Sequence, residues 1–341
     1  MKVALIKGDG TGPELIDSMV HVFRAVGTNV DLIHCEGGSE WWQSNGGDSF
    51  IPPETWEILE SADACFKGPT TTPPIPGTPR SVAVSIRQKF ELYANVRPIK
   101  TFPNQAGPLG EVEFVCVREA TEGLYSGIEI RFDEGTAIAI RKITRRGSLR
   151  VAEKAFQMAK ERDWKKLIAI TKRNILKETD SVFIDAVNDV GQRYPTIEVE
   201  EYFIDNLTQQ LVKNPQRFNQ NILLSTNLFM DVVSEEASAL IGSIGCVYSG
   251  NIGDKYAMFE PAHGSSPKYK GMDKVNPTAT ILSGAWMLRY LGEKDLGDAI
   301  FKAADEVIRD GNDLTYDLGG VGSTSKMADA IGIKARKILS R

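Results

Sequence analysis

Short apolar runs alternate with amphipathic stretches along most of this chain. The run at 2–6 predicts a buried strand, and the stretch at 13–26 carries apolar residues at helical spacing. Pro13 suits the first turn of that helix, and Gly27 suits the position just past its end. Strands and helices that alternate in this way indicate an α/β fold. Further strands are predicted at 113–118, 136–142, 166–171 and 197–204, and further helices at 150–162 and 180–190.

The segment 260–279 does not follow this pattern. It reads EPAHGSSPKYKGMDKVNPTA and is rich in Gly and Pro, which predicts an ordered surface loop. Its backbone N–H groups and small side chains can approach phosphates, and His263 can stack or donate a hydrogen bond. Asn276 can contact the edge of an adenine ring, and Lys268 can contact an additional phosphate. The segment therefore suits an adenine nucleotide; the alternative is a glycine-rich linker with scattered charges.

Length, charge and cysteine content limit the possible classes of protein. The chain has 341 residues, enough for about two domains of ordinary size. Its formal net charge of -5 gives no reason to expect nucleic acid or an anionic membrane as partner. No apolar run approaches the roughly 18 residues of a membrane span, and no signal pattern opens the sequence. Four isolated cysteines without a CxxC pair predict free thiols and a cytoplasmic protein.

Three arginines are candidates for binding carboxylates. Arg87 lies in an amphipathic stretch, Arg97 precedes a proline, and Arg118 ends an apolar strand. Guanidinium groups bind carboxylates through two parallel hydrogen bonds and keep their charge. If the three converge, they can hold a di- or tricarboxylate. Taken singly, each is more consistent with a surface arginine, since the chain has 40 Lys and Arg residues.

Three acids and a lysine are candidates for a metal site and a base. Asp231 and Glu235 are four residues apart and share one face of a helix, where their charges repel unless a cation lies between them. With Asp205 they form an oxygen-only set, which suits Mg²⁺ or Mn²⁺. A solvated acidic helix face is the alternative. Lys172 follows an apolar strand, where a lysine withdrawn from water can act as a base. On its residues alone, an exposed lysine at the end of a strand is the favoured alternative.

Several motifs occur in an order that resembles a known family, the isocitrate and 3-isopropylmalate dehydrogenases, which are decarboxylating β-hydroxyacid dehydrogenases. The resemblance covers essentially the whole chain. The motifs are VALIKGDGTGPE at 3–14, LYANVRP at 92–98, VREATEGLY at 117–125, TNLFMD at 226–231, and the loop at 260–279.

This resemblance implies the architecture. It implies an isocitrate/isopropylmalate dehydrogenase-like α/β fold, which is not a true Rossmann fold. A large discontinuous cofactor-binding domain is expected at 1–98 and 245–341. A smaller inserted domain with the dimer interface is expected at 99–244. The family also implies a homodimer in which Lys172 and Asp205 enter a site whose other residues come from the partner subunit.

The resemblance also implies roles for individual residues. Tyr125, Lys172 and Asp205 would be catalytic: Lys172 would assist deprotonation of the substrate hydroxyl, and Tyr125 would protonate the carbon that loses CO₂. Asp205, Asp231 and Glu235 would bind Mg²⁺ or Mn²⁺. The substrate would be held by Ser81, Arg87, Arg97 and Arg118. The cofactor would contact Thr72, His263, Gly264, Ser265, Lys268, Tyr269, Asn276 and Tyr316.

The sequence departs from the family pattern at five positions. The family has Asp, Gly and Asn where this chain has Glu235, Met230 and Ala120, respectively. Ala83 stands where isocitrate enzymes have an asparagine for the third carboxylate. Gly320 stands where NADP-dependent isocitrate enzymes have an arginine for the 2′-phosphate.

The resemblance as a whole predicts oxidative decarboxylation of isocitrate to 2-oxoglutarate with reduction of NADP. Lys268 and Tyr269 favour NADP because NAD-dependent members usually carry an acid at the position of Lys268, and Tyr316 matches a further phosphate contact. Homoisocitrate or 3-isopropylmalate remains an alternative substrate. A non-catalytic regulatory paralogue is the alternative from another functional class.

Overall fold

The computed structural model describes residues 1–102 and 107–341. Its strands are β1 (Lys2–Ile6), β2 (Asp31–Cys35), β3 (Ala64–Lys67), β4 (Ala94–Lys100), β5 (Glu113–Glu119), β6 (Glu129–Arg131), β7 (Ala137–Ala139), β8 (Lys166–Thr171), β9 (Glu198–Phe203), β10 (Asn221–Ser225), β11 (Tyr248–Ile252) and β12 (Ala257–Pro261). Its helices are α1 (Gly12–Val26), α2 (Ser39–Asn45), α3 (Pro53–Ser61), α4 (Val82–Lys89), α5 (Arg145–Glu161), α6 (Lys177–Gly191), α7 (Ile204–Lys213), α8 (Asn227–Ala239), α9 (Thr278–Tyr290), α10 (Lys294–Asp310) and α11 (Thr324–Leu339).

Ten of the described strands form one mixed sheet, in the order β2-β1-β3-β12-β11-β4-β5-β10-β8-β9. The first four strands in this order run parallel to one another, and so do the last four. Between these groups, β11 and β4 pair antiparallel with each of their neighbours. The two outer groups therefore run in opposite directions, and their carboxyl ends lie at opposite edges of the sheet.

Helices pack against this sheet and bury its apolar strands. Helices α1, α9, α10 and α11 pack against one another, and α9 lies against β11 and β12. Helices α5 and α6 pack against each other and against the other half of the sheet. Continuous apolar runs such as 3–6 and 167–170 are fully buried, as expected for strands covered on both faces. The α/β prediction is confirmed.

A two-stranded hairpin, β6 and β7, lies outside the main sheet and is antiparallel. Its strand residues are exposed, although many side chains in and beside the hairpin are apolar. Five large apolar side chains are between 41% and 64% exposed, namely Ile128, Ile130, Phe132, Ile138 and Ile140. The described part of the chain does not bury these side chains.

Most of the predicted elements occur, and their differences have local causes. Strand 166–171 is confirmed at both ends, and α1 begins one residue earlier than predicted. Helix α5 begins at Arg145 rather than 150, because the Thr144 hydroxyl caps it by accepting a hydrogen bond from Gly147 N–H at 3.0 Å. The strand predicted at 136–142 is reduced to three residues paired in the hairpin.

The prediction of a loop over the whole of 260–279 is wrong at both ends. Glu260 and Pro261 finish strand β12, and Thr278 begins helix α9. The stretch between them, 262–277, contains only a short 3-10 turn at Pro267–Tyr269 and is called the glycine-rich loop below. In the described residues, no helix has the length and apolar character needed to cross a membrane.

Candidate active site

Arg118 and Tyr125 meet around the carboxylate of Asp231. Arg118 lies near the end of β5, is 2% exposed, and forms an ion pair with Asp231 of α8. The Tyr125 hydroxyl donates a hydrogen bond to the other Asp231 oxygen, and the Arg118 guanidinium lies 4.8 Å from the centre of the Tyr125 ring. Asn227 accepts a hydrogen bond from Arg118 Nε at 2.8 Å. Two side chains of α8 therefore fix the guanidinium.

Arg97 extends this cluster along the same face of α8. Its Nη1 lies 3.1 Å from a Glu235 oxygen and 3.0 Å from Ser234 Oγ, and its Nη2 lies 3.6 Å from Asp231. The carboxylates of Asp231 and Glu235 thus share one helix face and one arginine. This pairing offsets the repulsion that their spacing would otherwise cause.

Arg87 is held by Glu260, a buried acid that the sequence analysis placed in a loop and that lies in strand β12. Glu260 accepts from Arg87 Nη2 at 2.9 Å and pairs with Lys67 Nζ at 2.9 Å. The Arg87 Nε donates to Asn251 Oδ1 at 2.7 Å. Glu260, Lys67 and Arg87 are all less than 9% exposed. Two cations and one anion thus form a buried triad, which holds Arg87 in place.

The three arginines lie close enough to influence one another's ionisation. Burial lowers the pKa of Arg118 to about 10, with Arg87 and Arg97 adding to this effect and Asp231 opposing it. Burial alone would raise the pKa of Asp231, but Arg118, the Tyr125 hydroxyl and Arg97 hold it below its ordinary value. Burial and the bond to Asp231 raise the pKa of Tyr125. The cluster is therefore rich in fixed cations, and its phenol stays protonated near neutral pH.

Lys172 and Asp205 form a separate pair. Lys172 follows β8, Asp205 lies in the first turn of α7, and Nζ is 2.8 Å from Oδ1. The backbone N–H of Lys172 donates to Asp180, a fully buried acid that pairs with Arg141 at 2.7 Å. Within residues 1–102 and 107–341, no three acidic, histidine or cysteine side chains come together to hold a metal ion. One chain therefore does not bring all three predicted metal ligands together.

The glycine-rich loop forms one wall of a cavity of about 190 Å³. His263, Tyr269 and Asn276 line it from the loop, and Tyr316 and Asp317 line it from the segment before α11. Asn276 donates to Asp317 at 2.9 Å. His263 Nε2 is buried and has no hydrogen-bond partner among the described residues, and burial lowers the pKa of the ring. A neutral imidazole, an amide and two phenol rings thus face one small cavity.

The GDGTG turn at 8–12 anchors the base of the glycine-rich loop. Thr11 N–H donates to the Ser265 carbonyl at 2.9 Å, and Ser265 Oγ lies 2.5 Å from Thr71 Oγ1. Asp9 is 2% exposed, and its carboxylate accepts three hydrogen bonds from backbone N–H groups, those of Ser39, Glu40 and Thr71. The turn thus ties the glycine-rich loop to the loop after β3, without forming a phosphate fingerprint.

The remaining predicted contacts lie at the rim of the site. Gly264 and Thr72 are exposed, next to the buried Ser265 and the half-buried Thr71 respectively. The Ser81 hydroxyl caps helix α4 by accepting from Val84 N–H at 3.2 Å. Its oxygen keeps the capacity to donate to a ligand, because a hydroxyl is both donor and acceptor.

The sequence analysis missed three residues that support the site: Glu260, Lys67 and Asp9. Asp9 lies in the GDGTG motif, where a carboxylate between glycines is a signal for capping backbone N–H groups. Lys67 ends a buried strand, so its ammonium needs an anion. That anion is the carboxylate of Glu260, the first residue of the segment 260–279.

Residues 2–331 match the family model described as isocitrate/isopropylmalate dehydrogenase. The chain belongs to this family. Family members are decarboxylating hydroxyacid dehydrogenases that use a divalent metal ion and a nicotinamide cofactor.

Individual members of the isocitrate/isopropylmalate dehydrogenase family match over nearly the whole chain. The 3-isopropylmalate dehydrogenase of Methanothermobacter thermautotrophicus is 38% identical, with 97% of each chain covered. The isocitrate/homoisocitrate dehydrogenase of Thermus thermophilus is 39% identical, with 99% of each covered. A probable NAD-type isocitrate dehydrogenase subunit alpha of Drosophila melanogaster is 37% identical, covering 98% of this chain and 87% of its own.

A solved structure of the same family confirms the fold. The crystal structure of isocitrate dehydrogenase from Methylococcus capsulatus has a TM-score of 0.93 and 40% sequence identity, with 98% of this chain and 99% of that chain covered. The predicted isocitrate/isopropylmalate dehydrogenase-like fold is confirmed. The named relatives act on three different substrates, so membership of the family does not select among them.

Proposed function

We propose that this chain catalyses oxidative decarboxylation of isocitrate to 2-oxoglutarate with NADP as the hydride acceptor. The observation that carries the proposal is the meeting of Arg97 and Arg118 with Tyr125 around Asp231. Arg87, held by Glu260, lies near enough to act on the ionisation of Arg118 and Asp231. Three guanidinium groups at one place suit a tricarboxylate, which would replace their present carboxylate partners in part.

We propose a cytoplasmic location because the described cysteines form no disulfide.

The arginine cluster and the Lys172–Asp205 pair divide the chemistry between them. Lys172 would take the proton of the substrate hydroxyl, and a bound nicotinamide would supply the acceptor for the hydride from the carbon that carries it. The resulting β-keto acid then loses CO₂, and Tyr125 returns a proton to the carbon that held it. A phenol whose pKa is raised by burial and by Asp231 is protonated at neutral pH, as that last step requires. Ser81 and the arginines hold the carboxylates.

Asp231 and Glu235 suit Mg²⁺ or Mn²⁺ by their chemistry. Both are oxygen donors on one helix face, and Mg²⁺ usually binds one or two protein carboxylates together with substrate and water. Asp205 would complete the set from the partner subunit. When bound, the ion supplies charge that polarises the hydroxyl and carboxylate oxygens of the substrate.

A shared site and a homodimer are part of this proposal. Lys172 and Asp205 do not meet Asp231 within one chain, so they are free to serve a neighbouring copy. The exposed apolar hairpin of β6 and β7 offers the surface that a second copy would cover. We assign the cofactor-binding domain to 1–98 and 245–341. The dimerising domain is 99–244, in which 103–106 lie outside the described residues.

The cofactor preference rests on the glycine-rich loop. Lys268 Nζ lies 4.8 Å from the centre of the Tyr269 ring, and the Tyr269 and Tyr316 rings are 5.9 Å apart. These cationic and phenolic groups suit a 2′-phosphate, whereas an acid would suit the unmodified ribose of NAD. The NAD-type relative makes NAD the alternative to be tested. Ala83 leaves homoisocitrate and 3-isopropylmalate as alternative substrates, since it cannot donate to a third carboxylate.

The first expected result is a preference for isocitrate and NADP over the alternatives. With isocitrate, homoisocitrate and 3-isopropylmalate in turn, kcat/KM for isocitrate and NADP should be highest. Replacing Lys268 with Asp should raise KM for NADP at least about tenfold more than KM for NAD, because a charge-assisted hydrogen bond contributes roughly 1.5–3 kcal/mol. A wild-type enzyme that reduces NAD with the higher kcat/KM would contradict the cofactor assignment. If the protein turns over none of these three substrates in the presence of Mg²⁺, that result would favour a non-catalytic regulatory paralogue.

The second expected result concerns the metal ion. EDTA should abolish turnover, and Mg²⁺ or Mn²⁺ should restore it. Glu235→Gln should raise the Mg²⁺ concentration needed for half-maximal activity by about tenfold or more, because it removes one anionic ligand. Glu236→Gln is the matched control, since Glu236 is the neighbouring acid on α8 and makes no described ion pair. Full activity in EDTA, or equal behaviour of the two variants, would remove the metal assignment.

A further inference from the structure

Three lysines lie within seven residues of the glycine-rich loop, and their surroundings differ. Lys270 pairs with Glu40 at 2.6 Å, so its charge is compensated within the chain. Lys268 and Lys274 lie within 4.0 Å of no carboxylate in the described part of the protein. Both face aromatic rings instead. Two cations without a carboxylate partner therefore lie next to the rings of Tyr269 and Tyr316, which line the cavity.

Lys274 occupies a central position in this group. Its Nζ lies 4.8 Å from the centre of the Tyr316 ring and 5.6 Å from the centre of the Tyr269 ring. Lys268 reaches only the Tyr269 ring, at 4.8 Å. The two ammonium groups thus flank the phenol pair. A cation over a phenol is weakly stabilised at an exposed position, which leaves Nζ available to a stronger anionic partner.

The charge of a phosphate explains why two cations are needed at this place. A phosphate monoester carries close to two negative charges near neutral pH. Lys268 beside the phenol pair would match only one of them. Lys274 is the second ammonium group that lies over the same rings.

We propose that Lys274 determines specificity for the 2′-phosphate, supplying from the glycine-rich loop a second positive charge in addition to that of Lys268. This inference rests on the proposed NADP function and adds a residue to it. Lys268 and Lys274 bind the phosphate from two sides, and the hydroxyls of Tyr269 and Tyr316 donate to it. Lys270 takes no part, because Glu40 already holds it.

Binding of two nucleotides that differ by one phosphate tests this directly. Adenosine 2′,5′-bisphosphate and adenosine 5′-monophosphate are titrated calorimetrically into the full-length wild type and into Lys268→Gln, Lys274→Gln and Lys270→Gln. Lys274→Gln should weaken binding of the bisphosphate about tenfold, the lower end of the effect of a hydrogen bond to a charged group. Binding of the monophosphate should change less than about twofold. Lys270→Gln should change the ratio of the two affinities by less than about twofold.

The outcomes separate this inference from the function on which it rests. If the wild type prefers the bisphosphate and Lys268→Gln loses that preference, but Lys274→Gln keeps it, only the role of Lys274 is overturned. An equal loss of both nucleotides in Lys274→Gln also overturns it, since that result indicates a structural role. If the wild type binds the two nucleotides equally well, the NADP assignment and the role of Lys274 fall together. Retained activity of Lys274→Arg towards NADP, with selectivity near wild type, would support the charge as the cause.

Discussion

Activity should return when two inactive variants are combined in one dimer. Lys172→Met removes the proposed base, and Asp231→Asn removes a proposed metal ligand, so each homodimer should be nearly inactive. If Lys172 serves the partner's site, one site of a mixed dimer receives both substitutions and the other receives neither. Unfolding and refolding the two variants together should then restore about a quarter of wild-type activity, because about half of the dimers are mixed and each has one intact site.

Controls make this result decisive. Refolding each variant alone must give no recovery, and mixed dimers must be demonstrated, for example with two differently sized tags. A mixture of Asp231→Asn and Glu235→Gln is the matched comparison, since these residues lie on the same helix face of one chain and every site would then carry a defect. Mixed dimers of the first pair that remain inactive would eliminate the shared site.

Loss of the Glu260 carboxylate should be strongly destabilising. Glu260→Gln would leave Lys67 and Arg87 buried without their anion, and removing one partner of a buried ion pair costs about 3–5 kcal/mol. The free energy of unfolding, measured with urea, should fall by about that amount. Activity at a temperature where the variant remains folded should also fall, since Arg87 would no longer be held in place.

A surface pair provides the control for this prediction. Glu60→Gln removes the partner of Lys89, and both side chains of that pair are 53% exposed, so the free energy of unfolding should change by less than about 1 kcal/mol.

The loss in free energy of unfolding caused by Glu260→Gln should also depend on pH. Burial opposes ionisation of Glu260, but Lys67 and Arg87 hold its pKa far below the ordinary value. Its contribution is therefore complete above about pH 4.3, the unfolded value, and is lost at lower pH. If the loss in free energy of unfolding caused by Glu260→Gln grows as pH falls, the ion pairs of Glu260 with Lys67 and Arg87 do not stabilise the protein.

Elements that depend on local patterns were predictable from the sequence. The apolar run of β8 and the amphipathic face of α1 lie where periodicity places them, because burial of one face decides their structure. The sharing of one α8 face by Asp231 and Glu235 follows from helical geometry alone. The irregular backbone of the glycine-rich loop was also predictable, since its Gly and Pro residues exclude a packed helix or strand.

Pairings between distant segments were not predictable in the same way. Glu260 was assigned to a loop because it precedes Gly and Pro residues, yet two buried cations from β3 and α4 hold it inside the sheet. The reversal of strand direction at β11 and β4 depends on tertiary pairing, which periodicity does not encode. The same limit applies to Lys274, whose neighbour Tyr316 lies 42 positions further along the sequence.

The glycine-rich loop is anchored by one group of residues and presents its charge through another. Thr11 holds the backbone of Ser265, Thr71 holds its hydroxyl, and Glu40 holds the side chain of Lys270. The ammonium groups of Lys268 and Lys274 lie over the phenol rings instead. Substitutions at 268 and 274 therefore leave the supporting framework intact. If this loop binds the coenzyme as we propose, its preference for one coenzyme can change during evolution without loss of the fold.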